Sequence, residues 1–213
     1  TDDCGSAVST AATVAVVAPS ATIATAKLIP DGQLVALVGK PISLARTGYF
    51  YVEEPNLSSG IRIERIGHGL SAGSRANLVG TIYTNVDGER YIAASAAVAD
   101  GPGSVSALAM GNAAVCGKDW QYGGATGQRG AYGLVGLNNV GLLVRTWGTF
   151  NKTSATTFIL DDGSGFPVTC IVEPGTYLSY SWQYATATGV SSISKLSEGV
   201  YWPQLLVTEV RVY

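Results

Sequence analysis

The chain has 213 residues, with 13 Lys and Arg against 15 Asp and Glu, a formal net charge of −2 and a single His. Charged residues make up only 13%, about half the share of an ordinary soluble domain, while a 46% hydrophobic content is ample for a packed core and argues against disorder. The acidic balance disfavours holding nucleic acid through its phosphates, and the lone His68 leaves no partner for a two-imidazole metal site.

Residues 1–27 read as an extended, strand-like arm. From Cys4 to Ala26 no residue carries a formal charge, and Val8, Val14, Val16, Val17 and Ile23 recur among Ala, Ser and Thr, with Pro19 splitting the segment into two strand-length pieces. It lacks the Leu, Ile and Phe density of a membrane span, so none is expected. With no initiator Met and no basic start ahead of an apolar run, the chain reads as a mature, exported protein. A strand without a hairpin neighbour must find a sheet edge elsewhere, because buried, unpaired backbone groups are costly.

Residues 28–100 hold five alternating runs: Gln33–Arg46, Tyr49–Glu53, Gly60–Arg65, Ser74–Thr84 and Glu89–Ala97. Asp31-Gly32 and Asp87-Gly88 supply turn dipeptides, since Gly accepts the positive φ such turns demand. Five short strands with a long first one suit a small Greek-key barrel of the OB type, and Gly39 marks the bend in that first strand. A Gly-rich connector, 101–139, carries Cys116.

Residues 140–213 repeat the pattern. Leu34–Gly39 matches Leu143–Gly148, and Phe50–Glu54 matches Phe158–Asp162; each is followed by a Ser/Gly turn and another strand, Ile61–Ile63 or Thr169–Ile171. A near-constant offset over several positions signals two copies of one module. The expected fold is all-β: two tandem OB-like barrels preceded by the arm.

Phe50-Tyr51-Val52-Glu53-Glu54-Pro55 with Ser58-Ser59-Gly60-Ile61-Arg62 resembles the FYVEDP…SSGIRV core of OB-fold-like modules in large bacterial secreted and cell-surface proteins. Asn138–Gly148 resembles the entry to their second copy, and Phe158–Gly165 the FYIDDGSG that follows. The similarity spans about residues 27–213 and implies a tandem barrel at a cell surface. It implies no activity.

In the second strand of copy one, Tyr49, Tyr51 and Glu53 share the outward face with Arg62 and Glu64 of the third. Tyr49 and Tyr51 could stack bases, but the two carboxylates make nucleic acid the weaker reading. In copy two the expected outward residues are Thr157, Ile159, Cys170 and Val172, an apolar face that something must cover: the connector, the arm or a neighbouring molecule. A Cys116–Cys170 bridge would pin the connector over it and leave Cys4 free or bridged between subunits, although connectivity cannot be read from sequence.

Asp161–Gly165 lacks the spaced carboxylates of a calcium loop and reads as a hairpin turn. His68 has no nucleophile motif near it. Tyr180, Trp182 and Tyr184 could form a sugar-stacking ladder or one buried strand face. Asn56-Leu57-Ser58 and Asn151-Lys152-Thr153 match the N-glycosylation pattern and mark exposed segments. The expectation is a non-enzymatic extracellular structural protein, without cofactor or metal, that forms a homopolymeric filament or surface layer by giving its arm to a neighbour. The alternative is a glycan-binding surface module.

Overall fold

A computed structural model describes residues 18–20 and 22–213; Cys4, Val8, Val14, Val16 and Val17 lie outside them. Two closed five-stranded barrels follow one another along the chain. The first consists of β1 (Leu34–Arg46), β2 (Tyr49–Glu53), β3 (Gly60–Glu64), β4 (Ser74–Thr84) and β5 (Arg90–Pro102), closed in the order β1-β2-β3-β5-β4. The second consists of β7 (Leu143–Lys152), β8 (Thr157–Asp161), β9 (Val168–Ile171), β10 (Tyr184–Ser197) and β11 (Val200–Val212), with β10 pairing back onto β7. A two-residue strand, β6 (Leu108–Ala109), lies outside that ring, parallel to β7. The connectivity is identical in the two barrels and is that of an OB-like module: the third and fifth strands pair in parallel and every other pair is antiparallel.

The long first strand does two jobs. β1 pairs β4 over Leu34–Pro41 and β2 over Ile42–Arg46, and its register slips between Leu37 and Lys40. Gly39 sits at that slip with φ +65°, a backbone state that glycine adopts without strain. A second pair of glycines aligns the copies: β4 and β10 carry bulges at Val79/Gly80 and Thr188/Gly189. A Cβ on Gly80 would lie 2.3 Å from the Ala93 carbonyl oxygen, and one on Gly189 2.4 Å from that of Leu206. The sharp turn of each barrel therefore needs a residue without a side chain at the same place.

The first core gathers Val35, Leu37, Phe50, Val52, Ile61, Ile63, Ile82 and Ile92, while the second gathers Val140, Val144, Phe158, Leu160, Val168, Ala187 and Leu205 together with connector residues Val115, Cys116 and Leu134. The connector is thus the floor of barrel two.

Residues 23–27 correct the expected extended arm. Ile23–Lys27 is a helix, α1, whose Thr22 cap accepts from the Thr25 amide at 3.0 Å while the Thr25 hydroxyl binds back to the Thr22 amide at 2.9 Å. This reciprocal cap closes the first turn and puts Ile23 and Ala26 on one side, both fully buried in the core of barrel one. Ile23 therefore serves its own barrel. Five residues are too few for the helical period to stand out among β-branched neighbours.

Candidate functional site

The barrels meet along a seam where the outer face of β2 is covered by barrel two. Leu44 and Tyr51 pack against Val190 and Leu206, with Tyr49, Leu143 and Ile171 beside them. Gly60 and Gly141 touch backbone to backbone: a Cβ on Gly60 would lie 2.1 Å from the Gly141 carbonyl oxygen. The Ser58-Ser59-Gly60 turn thus ends on a residue that lets the second barrel in.

The polar groups buried here tie the parts together. Glu53 Oε1 accepts from the Leu143 amide at 2.8 Å, Tyr51 donates its hydroxyl to Glu89 at 2.8 Å, and Ser192 of barrel two donates to the same carboxylate at 3.2 Å. Lys27 Nζ donates to the Val140 carbonyl at 3.0 Å. Burial raises the Glu53 carboxyl to about 7 and lowers the Lys27 ammonium to about 7; it also raises Glu89, with Arg62 and Tyr51 pulling the other way. Arg90, with no exposed side-chain area, is ion-paired with Asp31 and donates to the Ile29 carbonyl and, at 2.7 Å, to that of Ala125 in the connector. Gln128 completes the tie, accepting from the Arg90 amide and donating to the Gly88 carbonyl.

Tyr51 is therefore unavailable as a base-stacking platform, because it is fully buried. Tyr49 is half-buried, and its ring carries the Arg62 guanidinium 4.0 Å from the centroid. Strand β2 alternates as its sequence implies, but its outward face is an internal joint.

Beta-nine corrects a second expectation. Phe50 pairs Ile63, whereas Phe158, its counterpart, pairs Cys170. The hairpin of copy two is one residue shorter, and a shift of one reverses the faces of a strand. Cys170 and Val172 consequently point into the core of barrel two, and Ile159 is half-buried opposite Thr169. No Cys116–Cys170 bridge forms: both are buried free thiols. Cys116 donates to the Ser192 carbonyl at 2.8 Å, and burial pushes its thiol up to about 12 and that of Cys170 up as well. Neither is poised as a nucleophile. His68 is held in its loop, its Nδ1 accepting from the Leu70 amide and its Nε2 facing the Arg46 carbonyl at 2.9 Å.

An open groove borders the seam. Arg46 reaches from barrel one to the Ile171 and Val207 carbonyls and pairs with Glu173. Beside it lies a cavity of about 390 Å³ lined by Glu173, Tyr177, Trp182, Thr208 and Glu209. Trp182 meets Tyr177 and Phe150 edge-on at 5.8 and 5.2 Å between centroids. Tyr180 and Trp182 precede β10, so with Tyr184 they form no single strand face; Tyr180 and Tyr184 are exposed and Trp182 half-buried. Asn56 is exposed in its turn, its Oδ1 accepting from the Ser58 amide, and Asn151 is exposed on β7. The Asp161–Gly165 loop is a hairpin turn in which the Asp161 and Asp162 carboxylates accept from the Gly163 and Ser164 amides. Among the described residues no cluster of metal-ligating side chains occurs and no helix is long and apolar enough to cross a membrane.

The free strand edges complete the inventory. In barrel two, β6 lies along the open edge of β7, and the Met110 amide donates to the Arg145 carbonyl at 3.0 Å. Ala36 is the counterpart of Arg145, and its carbonyl accepts from the Ser20 amide at 2.8 Å. The repeat thus includes a segment upstream of each barrel, which the sequence comparison missed because Ser20 and Met110 share no side-chain character. Sequence reasoning also missed Lys27, Glu89, Arg90 and Gln128. For Lys27, Glu89 and Arg90 the available signal was charge placed within strand-like runs of a charge-poor chain; Gln128 offered none.

No protein-family model matches the chain, and a comparison with curated proteins finds none that is similar.

Proposed function

We propose that this is a non-enzymatic, exported structural protein of a bacterial cell surface, which assembles into a filament or layer when residues upstream of position 18 add as a strand to a neighbouring subunit. The observation that carries the reading is the upstream segment of each barrel. The connector already adds β6 to the edge of β7, and Ser20 makes the equivalent bond on β1. Strand addition of this kind takes affinity from main-chain hydrogen bonds and register from alternate side chains.

The test is deletion of residues 1–17. Truncation must stop there, because removal through residue 26 would strip Ile23 and Ala26 from the first core. Fibres or sheets from the full chain and monomers from the truncated one are expected by negative-stain microscopy; identical behaviour of the two contradicts the proposal.

A glycan-binding reading is favoured by one observation, the groove in which Trp182 and Tyr177 stand beside Glu173 and Glu209. Aromatic faces with flanking carboxylates suit a sugar's apolar face and hydroxyls. Retention on immobilised polysaccharide that is lost in Trp182→Ala would support it, and equal retention of the two proteins would end it.

A further inference from the structure

Resting on the assembly reading, we infer that the acceptor is the outer edge of β5, Ala94–Pro102, and that its occupant is the segment Ala7–Val17 of a second copy of this chain. Beta-three pairs β5 over Arg62–Glu64 against Tyr91–Ala93, so beyond Ala93 the outer edge of β5 has no strand partner among the described residues. A side chain reaches it: the Arg65 guanidinium donates to the Ala94 and Ser95 carbonyls.

The twin edge in barrel two shows what a protected version looks like. The registers of β4–β5 and β10–β11 coincide through the bulge, so that Ala94 corresponds to Val207, Ala96 to Glu209 and Val98 to Arg211. Glu209 and Arg211 are exposed and paired to each other, and charges of this kind guard an edge against further pairing. Beta-five has none between Tyr91 and Val98; it offers Ala94, Ser95, Ala96, Ala97 and a 59% exposed Val98. Ala7–Val17 is equally small and uncharged, so along Ala94–Val98 two strands of small side chains meet, with the donor's amides displacing the Arg65 guanidinium from the Ala94 and Ser95 carbonyls.

Position supports the same occupant. Ser20 sits on the edge of β1, while β4 lies on the other side of β1 and β5 beyond that. Donor and acceptor therefore occupy opposite margins of one β1–β4–β5 layer. Eleven residues span about 36 Å when extended, enough for the whole β5 edge. A contact between opposite margins is head-to-tail and propagates unless rotation closes it.

The direct test grafts the guard of barrel two onto barrel one: Ala96→Glu with Val98→Arg in the full chain. Loss of fibres with an unchanged thermal melt supports the inference. Fibres that persist in this variant, while deletion of residues 1–17 abolishes them, overturn the acceptor and leave the assembly reading standing; fibres that survive the deletion overturn both. If the double variant melts early, cysteine pairs decide. In a Cys4→Ser background, oxidised Val14→Cys/Ala97→Cys chains should give a ladder on a non-reducing gel. A ladder from Val14→Cys/Val210→Cys instead, or a cross-link confined to monomers at every concentration, overturns the inference.

Discussion

Glu53 is a carboxyl group with no exposed surface, one oxygen on the Leu143 amide and the other without a partner. Burial lifts it from 4.5 to about 7, so between those values the folded chain holds a proton that the unfolded chain has released. Stability therefore falls as pH rises through that window, by up to about 3 kcal/mol for this group alone. Denaturant midpoints from pH 4.5 to 7.5 should decline in the wild type and decline less steeply in Glu53→Gln, where buried Glu89 still contributes a slope of the same sign. Tyr51→Phe removes the hydroxyl that donates to buried Glu89, which should lower stability by about 1–3 kcal/mol. The thiols give a simpler readout: Cys116 and Cys170 should react with a thiol reagent only after unfolding, and rapid labelling of either in the native protein would contradict their burial. Its place in the strand puts Glu53 on the outward face, yet what lies over that face is a property of tertiary packing, which local alternation does not encode.

At the level of elements, legibility follows sequence separation. Alternation, Asp-Gly turns and the near-constant offset between copies are local or self-referring signals, and they suffice for two barrels with the strands of copy one in place. The register of β9 is different. It depends on one residue's difference in hairpin length, and aligning Cys170 with Arg62 instead of Ile63 turned the strand inside out and created an apolar outer face. The helix α1 escaped notice because its cap and its two buried residues are all the evidence a five-residue helix offers. The glycine pair Gly80 and Gly189 is legible in retrospect, since both stand mid-strand at equal depth in each copy. Substituting either with Ala forces a Cβ into a facing carbonyl and should cost about 1–3 kcal/mol, measured by chemical denaturation. Gly136→Ala, where a Cβ meets nothing within 4 Å, controls for general effects, although its positive φ of +82° adds a smaller strain.

The whole molecule is one body made of two similar barrels. The Gly60–Gly141 contact, the shared Glu89 carboxylate and the Arg90–Gln128 tie cross between parts that the sequence presents as separate modules. A single unfolding transition is expected, with Gly60→Ala splitting or lowering it because the added methyl drives the barrels apart. Among the described residues this body leaves an unguarded edge on one margin, opposite the margin where Ser20 bonds to β1. The proposed assembly requires residues 7–17 to add as a strand on meeting another molecule. Hydrogen–deuterium exchange on the amides of that segment, followed across a dilution series from assembled to monomeric protein, tests it most directly. Slowing of exchange that appears with assembly and vanishes on dilution is the predicted result; equal protection in the dilute monomer, or none in the assembled state, would contradict it.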